Sequence, residues 1–111
     1  NGILLGDGSG SFSHGTMVGG SEQSYALALL DVDRDGDIDV VVANVRGQNE
    51  LYLNDGSGTA WTRTPIDEES YVTYGLAGGD LNGDGFADLG FANSSGPNVI
   101  FLNVEGRRNR D

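Results

Sequence analysis

Short clusters of valine, leucine, isoleucine and tyrosine punctuate this chain, and none carries a sustained helical period. Between them lie Asn-Asp-Gly, Asp-Gly-Ser-Gly and Ser-Gly-Pro, sequences that reverse a chain within a few residues. The pattern predicts strands over Tyr25–Leu30, Ile38–Ala43, Glu50–Leu53 and Thr59–Thr64, then over Tyr74–Gly79, Ala87–Ala92 and Asn98–Leu102. The N-terminal stretch adds Ile3–Leu5 and Ser11–Met17. An all-β protein is expected.

The clusters recur at a spacing of 49 residues, the distance from Asp31 to Asp80. Tyr25, Leu27, Ala28, Ala43, Asn44, Gly47, Asn49, Leu53 and Asn54 return as Tyr74, Leu76, Ala77, Ala92, Asn93, Gly96, Asn98, Leu102 and Asn103. An earlier partial copy is present too, since Leu5-Gly6-Asp7-Gly8-Ser9-Gly10 parallels Leu53-Asn54-Asp55-Gly56-Ser57-Gly58. A strand-rich period of roughly 40–50 residues is the signature of β-propeller blades, each a four-stranded antiparallel sheet. The chain then divides into a partial blade of two strands (1–22), a complete blade (23–71), a partial blade of three strands (72–106) and a polar tail (107–111). Ala26 and Ala28, then Gly75, Ala77, Gly78 and Gly79, keep the strand before each acidic loop small. Small side chains suit an innermost strand, where blades crowd a central axis.

Length and charge narrow the reading. The 111 residues suit one domain or a piece of one, and no apolar run is long enough to form a membrane-spanning helix. Asn1 to Gly10 show no secretory or transit pattern. Seventeen acids against six arginines give a net charge of −11, which weighs against a nucleic-acid partner. Three of those arginines, Arg107, Arg108 and Arg110, crowd the tail. Without cysteine, neither disulfides nor thiol chemistry is available.

Eight of the acids fall in two windows, Asp31-Val32-Asp33-Arg34-Asp35-Gly36-Asp37-Ile38-Asp39 and Asp80-Leu81-Asn82-Gly83-Asp84-Gly85-Phe86-Ala87-Asp88. A solvated acidic face is the plain reading of a lone charge run. Alternation, the glycine at the sixth position and the second copy weigh against it here. Calcium takes six to eight hard oxygens, and Asp or Asn at positions 1, 3 and 5 offers them from one tight turn. Gly36 and Gly85 stand where the chain must turn sharply, a conformation glycine adopts cheaply. Position 7 contributes a backbone carbonyl, which is why Asp37 and Phe86 can both occupy it. Magnesium demands stricter geometry and keeps more water, so calcium is the expected ion. An EF-hand is excluded: its twelfth position needs a bidentate Glu and here holds Val42 or Phe91, while the closing carboxylate comes ninth, at Asp39 or Asp88.

These residues resemble the calcium-binding propeller repeats called FG-GAP or VCBS repeats, found in integrin α-subunit heads, fungal sugar-binding propellers and large secreted bacterial proteins. Tyr74 through Leu89 carries the pattern most fully, and the likeness reaches Asn103. The resemblance implies two calcium sites per chain. The first would use Asp31, Asp33, Asp35, Asp37 through its backbone, and Asp39; the second would use Asp80, Asn82, Asp84, Phe86 through its backbone, and Asp88. Two departures stand out. Family propellers have about seven blades, and in the third copy Val104-Glu105-Gly106 replaces the hairpin residues Asp55-Gly56-Ser57.

No catalytic constellation accompanies this pattern, so the chain is not read as an enzyme. His14 is the single histidine, and a surface or hairpin role fits it. Asp-Gly-Ser-Gly lacks the G-x-S-x-G elbow and sits where hairpins turn. Trp61, Tyr52, Tyr71, Tyr74 and Phe101 could form a sugar platform, but aromatics in repeat strands fit the core between blades better. Asn93-Ser94-Ser95 matches the N-glycosylation acceptor, though Asn44-Val45-Arg46 does not, and a polar turn explains it equally. The expected role is a calcium-binding extracellular scaffold for adhesion or recognition, lectin-like or protein-binding. The alternative is a structural segment of a larger secreted enzyme or surface protein. A lone two-blade slab would expose apolar faces, so a homo-oligomer is expected, a trimer first, unless the chain is part of a longer propeller.

Overall fold

The computed structural model describes residues 2–17, 24–45, 47–66, 72–94 and 96–103, without the side chains of 14–17. Nine strands run in chain order: β1 Gly2–Gly6, β2 Phe12–Met17, β3 Ser24–Leu30, β4 Asp39–Asn44, β5 Glu50–Asn54, β6 Trp61–Pro65, β7 Thr73–Gly79, β8 Asp88–Asn93 and β9 Val99–Phe101. They form antiparallel sheets of two (β1-β2), four (β3-β4-β5-β6) and three strands (β7-β8-β9). The described residues contain no helix, so the molecule is all-β as its turn spacing predicts. Each predicted strand is present within two residues of its expected ends. Tyr71, Ser95, the Val104-Glu105-Gly106 break and the arginine tail lie outside the described residues.

The turns form as their residues dictate. In both Asp-Gly-Ser-Gly hairpins the aspartate accepts from the serine two positions on: Ser9 N donates to Asp7 Oδ1 at 2.8 Å and Ser57 N to Asp55 Oδ1 at 2.9 Å. Each serine hydroxyl donates to the same oxygen. These local bonds substitute for a backbone turn and identify the stretches as hairpins. The β4–β5 and β8–β9 turns rest on the recurring asparagines. Asn44 N donates to Asn49 Oδ1 at 2.7 Å, and Asn93 N to Asn98 Oδ1 at 2.9 Å. Asn93 Nδ2 also donates to the Pro97 carbonyl at 2.8 Å, so the nitrogen of the acceptor motif is engaged in its own turn.

The main core lies between the four- and three-stranded sheets. Val32, Val41, Ala43, Leu89 and Phe91 are buried there, with Ala26, Ala28, Leu51, Leu76 and Phe101 packed around them. A smaller core of Val40, Val42 and Tyr52 covers the opposite face of the four-stranded sheet, against Ile3 of β1 and Trp61. Strand β4 is therefore buried at every position, which accounts for its unbroken Val-Val-Val-Ala run. Tyr52, Trp61 and Phe101 belong to these cores, whereas Tyr74 is exposed and meets the Tyr25 ring edge-on at 4.6 Å. Both tyrosines sit at register shifts, between Ser24 and Ala26 and between Thr73 and Gly75. Strands β3 and β7 pack together. A Cβ at Gly78 would overlap the Leu30 side chain, so the small residues of β7 permit this approach.

Candidate metal centre

Each acidic loop leaves the first strand of its sheet and returns into the second. Its frame is built from carboxylates accepting the loop's own amides. Asp31 Oδ1 accepts from Asp35 N at 3.2 Å and its Oδ2 from Gly36 N at 2.9 Å, while Asp35 Oδ1 accepts from Asp37 N at 2.9 Å. The second loop repeats this, with Gly85 N donating to Asp80 Oδ2 at 2.8 Å and Phe86 N to Asp84 Oδ1 at 3.0 Å. Gly36 and Gly85 adopt φ of 89° and 90°, the left-handed conformation expected of the sixth position.

The ninth residue ties each loop to its sheet. Asp39 is fully buried and accepts from Val32 N at 3.0 Å and from Asn54 N at 2.9 Å. Asp88 is held identically by Leu81 N and Asn103 N, both at 2.8 Å. Asn54 and Asn103 are thus part of the loops' support, a role that only their recurrence 49 residues apart signals in the sequence. Asn103 also reaches across the repeat boundary, its Nδ2 donating to the Val32 carbonyl at 2.5 Å.

In the first loop Asp31, Asp33, Asp35 and Asp39 each place a carboxylate oxygen within 4.8 Å of the others. Asp33 Oδ1 is buried without a hydrogen-bond partner. Burial, then the neighbouring carboxylates of Asp35 and Asp39, pushes the Asp33 pKa up to about 6. Burial likewise raises Asp39, against the opposing pull of the Asn54 and Val32 amides. At Asp31 burial also pulls upward, but the amides of Gly36 and Asp35 prevail and lower its pKa. Four crowded carboxylates with one orphaned oxygen make a site that a hard cation would satisfy. Oxygens each about 2.3–2.6 Å from calcium can lie up to about 5.2 Å apart, which accommodates the observed spread. Magnesium, at about 2.1 Å from its ligands, would demand near-octahedral geometry from the same group.

The remaining predicted ligands are placed differently. The Asp37 carboxylate stands outside the group and flanks Gly56, where an added Cβ would meet Oδ2 at 3.1 Å. A seventh residue contributing through its backbone is compatible with that position. In the second loop Asp80, Asp84 and Asp88 do not assemble into a comparable group among the described residues, and Asn82 replaces the acid that Asp33 supplies. Phe86 is buried, with the Arg34 guanidinium 5.2 Å from its ring centroid, so the first loop's one cation covers part of the second loop. Arg34 adopts φ of 58°, where its counterpart Gly83 has 77°. His14 lies in β2, with its side chain outside the described residues.

A family model described as an FG-GAP-like repeat matches residues 31–91. No curated protein and no solved structure compared with the chain gives a match. The matched span opens on Asp31 at the start of the first acidic loop, takes in β4 to β7 and the whole second loop, and ends in β8 at Phe91. It covers more than half of the chain, and the chain belongs to the FG-GAP-like repeat family.

Proposed function

We propose that this chain is a calcium-stabilised propeller module of an extracellular protein, serving as a non-catalytic scaffold for adhesion or recognition. The observation that carries the reading is the Asp33 oxygen, buried without a partner inside a group of four carboxylates. Calcium at Asp31, Asp33, Asp35 and Asp39 would neutralise their repulsion and stiffen the loop between β3 and β4. Asp80, Asn82, Asp84 and Asp88 would form a second, weaker site with fewer charges, the backbones of Asp37 and Phe86 adding a carbonyl to each. Extracellular calcium is millimolar, so sites with Kd of about 10⁻⁴–10⁻³ M would fill there and stay largely empty in the cytosol. Among the described residues no helix is long and apolar enough to cross a membrane. The ligand, a carbohydrate or another protein, would be met on the surface that the ions hold rigid.

Titration calorimetry with calcium chloride, paired with thermal melts in calcium and in chelator, tests this directly. Binding heat and a higher melting temperature in calcium are expected. No heat at millimolar calcium would end the reading.

A further inference from the structure

The three sheets stack in one sense. Ile3 of β1 packs on Val40, Val42 and Tyr52 of the four-stranded sheet. On that sheet's other face Leu51 packs into the cluster of Leu89 and Phe91, joined by Phe101 of the three-stranded sheet. The two contacts are one contact repeated. Leu51 is the hairpin counterpart of Ile3, and Leu89, Phe91 and Phe101 stand 49 residues after Val40, Val42 and Tyr52.

At the two ends of the stack each half of that contact is without a counterpart among the described residues. On the outer face of the last sheet, Ile100, the counterpart of Leu51, is 58% exposed and lies over Gly90. On the outer face of the first sheet, Leu4 and Phe12 are 57% and 67% exposed. Phe12 pairs with Gly6 and lies against it, while Leu4 is two residues away on the same face of β1. Their counterparts Tyr52 and Trp61 belong to the smaller core. One end of the molecule thus presents the back of a repeat and the other end presents the front.

We propose that a second copy of this chain docks head to tail on these ends, Ile100 of one copy packing on Leu4 and Phe12 of the next. The contact would reuse the part of the packing within the chain that falls on the outer strands, Leu4 and Phe12 standing where Tyr52 and Trp61 stand beside Ile3, and each sheet keeps its own strands. Because the two surfaces differ, the association is heterologous and propagates to a ring or an open stack. The net charge of −11 opposes it through long-range repulsion, which physiological salt screens beyond roughly 8 Å. The inference depends on the sheet faces and on no bound ion, so it can fail while the calcium reading stands, and the reverse.

Sedimentation equilibrium at physiological salt, with and without calcium, tests it using the full chain and the variants Phe12→Glu and Ile100→Glu. Both substitutions are at exposed positions, and circular dichroism checks that the strand signal is kept. The wild-type mass should rise with concentration above the 11.6 kDa monomer. Each variant alone should stay monomeric. An equimolar mixture should form a species of twice the monomer mass and nothing larger, because each variant retains the end its partner lacks. A wild type monomeric throughout would overturn the proposal and leave these faces to further repeats on a longer chain. Association of either variant alone, or a mixture that stays monomeric, would overturn it equally.

Discussion

Asp33 and Asp37 lie four residues apart in one acidic loop, yet they meet opposite surroundings. Asp33 is crowded by Asp31, Asp35 and Asp39 and has an oxygen with no donor, whereas the Asp37 carboxylate turns toward Gly56. Asp33→Ala should weaken calcium binding about 10-fold or more, since losses of about 10–100-fold follow even from removing groups that only support a metal's ligands. The same substitution should raise the melting temperature in chelator, since it removes a charge that the metal-free fold accommodates poorly. Asp37→Ala should leave affinity nearly unchanged. Calorimetric titration compares the two, and equal losses would show that the seventh position binds through its side chain. The alternation of acids was legible in the sequence. So was the expectation that the seventh position would stand apart from the other four. The buried, unpartnered oxygen of Asp33 was not, because carboxylate direction follows from bonds to amides that only the folded loop brings near.

At the scale of elements, β5 and β6 are joined by more than their ladder. Glu50 is 1% exposed and pairs with Arg63, its other oxygen accepting from the Tyr52 hydroxyl at 3.1 Å. Burial first, then Glu50, raises the Tyr52 pKa, so its hydroxyl stays protonated and donating through neutral pH. One repeat later the position of Glu50 holds Val99, which needs no ion partner. Removing Arg63 would strand a buried carboxylate, an outcome more damaging than replacing both partners by apolar groups. Arg63→Ala should therefore lower the melting temperature by about 5 °C or more, and adding Glu50→Val should recover most of the loss. Thermal melts of the single and double variants check this; a double variant no more stable than Arg63→Ala would refute it. Glu50 read from sequence only as the start of a strand. Its mismatch with Val99 was the available sign that this repeat carries a polar inclusion.

At the scale of the molecule, stability rests on the layer between the two larger sheets. Phe91 is buried there, edge-on to Phe101 with ring centroids 5.8 Å apart. Phe91→Ala should destabilise by about 3–5 kcal/mol, the range for a large core aromatic, because a strand-bound sheet collapses poorly onto the cavity. Urea unfolding measures it, and a loss under about 1 kcal/mol would mean that the sheets do not depend on one another. Polar bonds reinforce the same boundary. Asn49 Nδ2 donates to Thr73 Oγ1 at 3.2 Å, and Thr73 Oγ1 donates to Asn93 Oδ1 at 2.7 Å, linking the turn of one repeat to the first strand and turn of the next.

By itself the sequence determined the strands, the hairpins and the frame of both acidic loops. Each of these depends on residues within a few positions of one another: glycine at positive φ, aspartate accepting amides two to five residues on, asparagine closing a turn. Tertiary structure decided what no local pattern holds. Asp39 is oriented by an amide 15 residues away, and Asn103 grips a carbonyl 71 residues back. Two loops of nearly equal text consequently differ, one gathering four carboxylates and the other meeting an arginine from its neighbour. The repeat also makes Leu51 and Ile100 equivalent in sequence, while stacking order alone packs one and exposes the other. Burial is a property of neighbours, and equal text in two repeats does not give the two residues equal neighbours.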